Sequence, residues 1–127
     1  MDKDTEIKKT FTQKITVSPL LTAKHLGSGL LAVYATPALV ALMENTSMQL
    51  IENEEGKTSV GTSMSINHIK ASGIDDVITC TAELIEQEGR KFIFNAIATN
   101  KDGDIIGNCR HERILIDIER FMSKLNK

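Results

Sequence analysis

Hydrophobic positions follow two different periods along this chain, and the change falls at Gly56. Before it, Phe11, Ile15 and Val17 share one parity, which predicts a strand over residues 11–17 that Pro19 ends. A connecting segment through His25, Gly27 and Gly29 follows, read as a loop with a short helical turn. The strongest helix signal starts at Thr36, a good N-cap residue, with Pro37 at the first helical position, where its missing N–H is not needed. The run Ala38-Leu39-Val40-Ala41-Leu42-Met43 is apolar on every face, which marks a buried helix. That helix is expected to reach about residue 51, before a polar exit over Glu52, Asn53, Glu54, Glu55 and Gly56.

Beyond Gly56 the period is two. Val60, Thr62, Met64, Ile66 and His68 fall on one face of a strand, and Ser63, Ser65 and Asn67 on the other. Residues 77–87 form the next strand, with Ile78, Cys80, Ala82 and Leu84 on one side. Glu86-Gln87-Glu88-Gly89 turns into a strand over 90–99, and Asn100-Lys101-Asp102-Gly103 is a hairpin turn. A last strand over 104–117 and a short helix over 118–125 complete the chain.

One long helix against one antiparallel sheet is an α+β arrangement. A helix apolar all round needs cover on every side, and a single curved sheet supplies only part of it. Wrapping or dimerisation is therefore expected, as in the hotdog fold, where a curved sheet wraps one central helix and two protomers join. The length, 127 residues, fits a single domain over 1–127. Fifteen Lys and Arg against 17 Asp and Glu give a net charge of -2, which argues against a nucleic-acid binder relying on bulk positive charge. The charged start over residues 1–6 leads into no apolar segment, so no signal peptide is expected. The most apolar stretch, residues 30–43, is too short to span a membrane, and Pro37 interrupts it. Two cysteines fit free thiols in a reducing compartment. The expectation is a soluble, cytoplasmic protein with neither a nucleic-acid nor a membrane partner.

Three residues stand out chemically. Glu44 follows six apolar positions: it is either a buried, perturbed carboxylate or the point where the helix emerges to solvent at Asn45, Thr46 and Ser47. His68 ends a strand on the parity of Met64 and Ile66. If that face covers the helix, His68 points toward Glu44, an acid–base arrangement suited to neutral pH; the other reading is a purely structural strand-end histidine. Thr36 either only caps its helix or belongs to an oxyanion site at the positive helix end. Pro37 has no N–H, so Ala38 and Leu39 would be the donors there. Eight residues separate Thr36 from Glu44, about 12 Å along a regular helix, so the two cannot touch directly. Either a substrate spans the gap or the regular helix begins later.

Other groups carry weaker signals. In His111-Glu112-Arg113 the first and third share a strand face, which reads most simply as a solvated one. His25, His68 and His111 lack zinc-site spacing, so neither metal nor cofactor is expected. Cys80 sits among core positions. Cys109 is open to exposure, with no adjacent histidine to make it a catalytic thiol.

The stretch from Val33 to Glu44 resembles the central-helix region of the fluoroacetyl-CoA thioesterase family. So do Gly61-Thr62 followed by His68, Thr81-Ala82-Glu83-Leu84 with Glu88-Gly89-Arg90, and His111-Glu112-Arg113. The resemblance runs from about residue 11 to 124. It implies a hotdog homodimer that hydrolyses acyl-CoA thioesters without a metal, using Thr36, Glu44 and His68, with Gly61 and Arg113 near the acyl group. One departure is informative. Family members carry a longer lid with phenylalanines before the helix, whereas Gly27-Ser28-Gly29-Leu30-Leu31-Ala32 is short and holds no aromatic. A different short acyl group, or a wider pocket, is expected. The reading is thus a thioesterase acting on a small acyl-CoA. The rivals are another hotdog reaction, such as acyl-CoA hydration or dehydration, and a non-catalytic acyl-CoA binding or sensing module.

Overall fold

The computed structural model describes residues 9–126; the charged start read above for a signal peptide lies outside the described residues. Strand β1 (Thr10–Thr16) leads through a single 3-10 turn at Pro19–Leu21 and helix α1 (Ala23–Leu26) into helix α2 (Thr36–Met48). Strands β2 (Lys57–His68), β3 (Val77–Glu88), β4 (Lys91–Thr99) and β5 (Ile105–Asp117) follow, and helix α3 (Ile118–Leu125) ends the described chain. The strands form one antiparallel sheet in the order β1-β3-β4-β5-β2. The two central pairings are hairpins, and both edge strands reach their places over long connections.

The sheet curls around α2, which packs against all five strands. Small residues make that close approach feasible: Cys80, Ala82, Ala96, Ala98 and Cys109 point inward and are buried beneath Leu39, Leu42 and Met43. Cys109 is therefore a core residue rather than an exposed one. At the tight turn after β4, the Asn100 side-chain oxygen accepts from the N–H groups of Asp102 and Asp104, and Gly103 takes the left-handed conformation, φ 84°. The last helix lies where the sequence placed it, with the Asp117 carboxylate accepting the Arg120 N–H at 2.9 Å.

Three sequence expectations change. The α2 helix is not buried all round. Ala38, Leu39, Leu42, Met43, Thr46 and Ser47 form one buried face, whereas Pro37 and Ala41 are exposed and Val40 is half-buried. The helix also stops at Met48, and it does not emerge to solvent at Thr46 and Ser47, which are fully buried. Their hydroxyls donate to the Leu42 and Met43 carbonyl oxygens at 2.6 and 2.8 Å, which removes the cost of burying them. Finally, β2 carries a bulge between Gly61 and Ser63. The extra residue, Thr62, turns outward and donates to the Glu112 carboxylate at 2.8 Å. Met64, Ile66 and His68 face the helix as expected, but Val60 and Thr62 lie on the opposite face. On the helix side of the bulge stands Gly61, paired with Arg113.

Candidate active site

Two polar groups flank α2, one at each end of the interval that separates Thr36 from Glu44. The first is built at the helix start. Ala35, not Thr36, is the N-cap; its φ of -77° and ψ of 141° are extended, and its N–H donates to the Leu21 carbonyl. Thr36 is the first helical residue, so its hydroxyl is released from capping. It meets the imidazole Nδ1 of His68 at 2.7 Å. This pair lines a cavity of about 290 Å³ together with Ala23, Ser28, Val33, Tyr34 and Lys70. His68 Nε2 is buried and has no hydrogen-bond partner among the described residues. Burial holds the His68 imidazole below its ordinary pKa range, with the Lys70 backbone opposing, so the ring is neutral at pH 7. The Tyr34 ring stands edge-on to it, centroids 6.4 Å apart.

Backbone donors are also available here. Leu39 N–H already donates to the Ala35 carbonyl at 3.0 Å, so it is not an open oxyanion donor. That bond is the first of the helical ladder, which leaves Thr36 and Ala38 N–H before it without a helical acceptor. Of the two donors expected from the sequence, Ala38 retains that capacity and Leu39 serves the helix.

The second group surrounds Glu44, whose side chain is 40% exposed. Its Oε2 lies 3.7 Å from Arg113 Nη1. The Arg113 guanidinium is only 6% exposed and is held on three sides. Nε donates to the Ser59 hydroxyl at 2.8 Å, Nη2 to the Ser59 carbonyl at 3.0 Å, and Nη1 meets His111 Nε2 at 3.1 Å. Gly61 is what lets β2 pass so close: a Cβ there would fall 2.8 Å from Glu44 Oε2 and 3.2 Å from His111 Cε1. His111-Glu112-Arg113 is therefore not a solvated face, because His111 and Arg113 are buried under the helix. His68 does not face Glu44 as the sequence parity implied. It binds Thr36, at the far end of the same helix interval.

Comparison with known proteins gives this geometry its context. A family model for fluoroacetyl-CoA-specific thioesterases matches residues 17–119. A fluoroacetyl-CoA thioesterase of Streptantibioticus cattleyicolor is 33% identical over 92% of this chain and 89% of its own. The chain belongs to the fluoroacetyl-CoA-specific thioesterase family. A crystal structure of a mutant fluoroacetyl-CoA-specific thioesterase with fluoroacetate and CoA superposes with a TM-score of 0.85 at 31% identity, covering 91% of this chain and 98% of that one. A hot-dog-like protein from Thermanaerovibrio acidaminovorans shares the fold at 17% identity, with a TM-score of 0.83 over 94% of this chain and 89% of its own.

Within this thioesterase family fold, sequence reasoning missed Ser59, Ser63 and His111 as parts of the Glu44 group. The bulge hid Ser59, because simple alternation puts position 59 on the wrong face, and Ser63 takes part only through its backbone carbonyl, which no side-chain pattern records. His111 had a signal, since it shares a parity with Arg113 and Cys109. Among the described residues, no group of three or more His, Cys, Asp or Glu is placed to hold a metal ion.

Proposed function

We propose that this thioesterase-family protein hydrolyses a short acyl-CoA thioester to the free acid and CoA, as a homodimer. The observation that carries this reading is the 2.7 Å Thr36–His68 contact at the amino end of α2, opening onto a cavity. The thioester carbonyl oxygen would rest at that helix end, near Thr36 and the Ala38 N–H, where partial positive charge favours an oxyanion. Glu44 would direct the attacking water as a base or attack as the nucleophile. The proton that the attacking water loses would pass by way of His68 to the departing thiolate, so the imidazole is neutral before and after the reaction. Gly61 and Arg113 would border the acyl group beside Glu44.

The 12 Å problem has a natural solution in a second copy. Strand β2 is an edge strand of 12 residues, with no charged side chain between Lys57 and its end. Monomers blunt such edges with charges or proline. The half-open flank of α2 at Val40 and Ala41 lies uncovered as well. Antiparallel pairing of two β2 strands brings the Gly61 region of one copy toward the His68 end of the other. Glu44 of one copy would then serve the Thr36–His68 pair of its partner. With no phenylalanine lid before the helix, the apolar part of the cavity lining, Ala23, Val33, Ile69 and Ala71, suits a short aliphatic acyl group better than fluoroacetyl. A reducing, cytoplasmic setting suits the two free thiols.

The test is thiol release from acetyl-, fluoroacetyl-, propionyl- and longer acyl-CoAs, with Glu44→Gln as the control. Release by wild type and not by the variant supports the reading. Saturable acyl-CoA binding with no thiol release would instead identify a binding module. Mixing Thr36→Ala with Glu44→Gln protein tests the shared site. An equimolar mixture should regain roughly a quarter of wild-type turnover, since about half of its dimers are mixed and one of the two sites in each keeps both residues. No regain after verified subunit exchange puts Thr36 and Glu44 in the same copy's site.

A further inference from the structure

His111 is 1% exposed and both of its ring nitrogens are engaged. Nδ1 lies 2.8 Å from the Ser63 carbonyl oxygen, which can only accept, so Nδ1 carries the proton. Nε2 lies 3.1 Å from Arg113 Nη1, which can only donate, so Nε2 is the acceptor. The imidazole is therefore neutral and locked in one tautomer by a backbone carbonyl on one side and a guanidinium on the other. Nη1 has two hydrogens. One is occupied by His111, which leaves the other for Glu44 Oε2 at 3.7 Å.

We infer that His111 is a positioning residue: it accepts one Nη1 hydrogen of Arg113 and thereby turns the other toward the Glu44 carboxylate. The inference rests on the thioesterase reading above, in which Glu44 is a catalytic residue. It assigns His111 a role that neither its burial nor its strand position requires. A histidine needed only for volume would leave its ring nitrogens to water or to chance partners. This one holds the single guanidinium that contacts the carboxylate, and Ser59 fixes that guanidinium from the opposite side with two further bonds.

The surroundings agree. Burial, joined by the Arg113 charge, keeps the imidazole below its ordinary pKa range, against the pull of the Ser63 contact, Glu44 and Glu112. The helix contributes Glu44; β5 contributes Arg113, and Glu112 from the outer face. From β2 come only the Ser63 carbonyl and Ser59, and β4 presents the Phe94 ring, centroids 6.3 Å away. Protonating Nε2 would set a donor against a donor and a cation against a cation, so Arg113 would lose its orientation.

The test uses three substitutions in the full-length protein. His111→Gln places an amide oxygen within reach of Arg113. His111→Asn keeps a group near Ser63 but is too short for Arg113, and His111→Phe keeps ring volume alone. The expected result is a drop in kcat of about 10- to 100-fold for the Asn and Phe variants, with KM changed less than about twofold, and near wild-type kcat for Gln. Circular dichroism and melting temperature verify that each variant is folded. Equal kcat in folded Gln and Asn variants would overturn the inference, because a space-filling or Ser63-anchoring role predicts that equality. A nitrogen-15 spectrum of the wild-type imidazole gives a second readout that needs no turnover. The proton is expected on Nδ1, and a proton on Nε2 at pH 7 overturns the relay by itself. A wild-type protein that releases no thiol from any acyl-CoA refutes the thioesterase reading and takes the kinetic effect with it.

Discussion

The two ends of the Thr36–Glu44 interval are built by different means. At the Thr36 end the chain invests almost nothing beyond backbone: a helix starts, its second residue is proline, and one exposed hydroxyl meets one imidazole. At the Glu44 end the sheet supplies a buried guanidinium, a buried imidazole, two serine contacts and a glycine gap. The difference concerns preorganisation. A neutral oxygen at a helix end is oriented by the helix itself, and the helix field comes with it. A carboxylate needs its charge balanced and its direction fixed, and only a tier of side chains under it can do both. The first end is sensitive to loss of one atom, and the second to disturbance of its support.

The comparison can be broken at either end. The largest effect is expected for Glu44→Gln, which keeps the shape and removes the charge. Turnover should fall about 1000-fold in a protein that melts near the wild-type temperature. Unchanged kcat would remove Glu44 from the chemistry. Thr36→Ala deletes the one contact that defines the other end, and a loss of about 100-fold in kcat is expected, with Thr36→Ser recovering most of it. If the serine variant is as slow as the alanine variant, the hydroxyl is not what matters there. Gly61→Ala inserts a methyl 2.8 Å from Glu44 Oε2, so the carboxylate must move. About a tenfold loss is expected, because position rather than chemistry is disturbed. Wild-type turnover in that variant would show that the gap is not used.

The two histidines sharpen the contrast through pH. Both have folded-state pKa values lowered first by burial. At neutral pH each is uncharged, folded or unfolded. As pH falls below about 6.5, the unfolded chain takes up protons first, so stability declines until pH has passed the folded values. The melting temperature is therefore expected to drop on acidification from pH 6.5, and less steeply in His68→Gln and His111→Gln. A flat profile in wild type would contradict the burial of both rings. The smallest effect is reserved for Lys70 and Asp104, a surface pair 2.7 Å apart. Asp104→Asn should move the melting temperature by no more than about 2 °C, and a larger shift would give that surface pair a structural role.

Much of the fold was legible because it rests on simple alternation. The β3 pattern, with Ile78, Cys80 and Ala82 inward, and the Asp-Gly turn appear in the structure as read, and so does the last helix. The Thr36 region was legible in position but not in role. A Thr-Pro pair reads as cap and first turn, and only the extended Ala35 shows that the cap lies one residue earlier. Glu44 was legible as an anomaly, but its partners were not. Arg113, Ser59 and Gly61 reach it across strands that are far apart in sequence, and a single inserted residue scrambles the parity that would have linked them. Thr46 and Ser47 misled for a further reason. Their hydroxyls satisfy themselves on the preceding helical turn, so polar residues sit fully buried where polarity argued for solvent.

That inserted residue, Thr62, acts on β2 as a half-wavelength delay. A strand is a two-beat rhythm, and the extra beat lets both Gly61 and His68, an odd and an even position, sound on the same side. Straighten the bulge with Thr62 still in the chain and the two would fall out of phase: holding the Arg113 side in register would turn His68 to the outer surface, and holding His68 would replace Gly61 with a side chain under Glu44. One residue of chain length thus ties together two groups that make no contact with each other: the seven-residue step from Gly61 to His68 needs the bulge, whereas a six-residue step without Thr62 would keep both on the helix side by alternation alone.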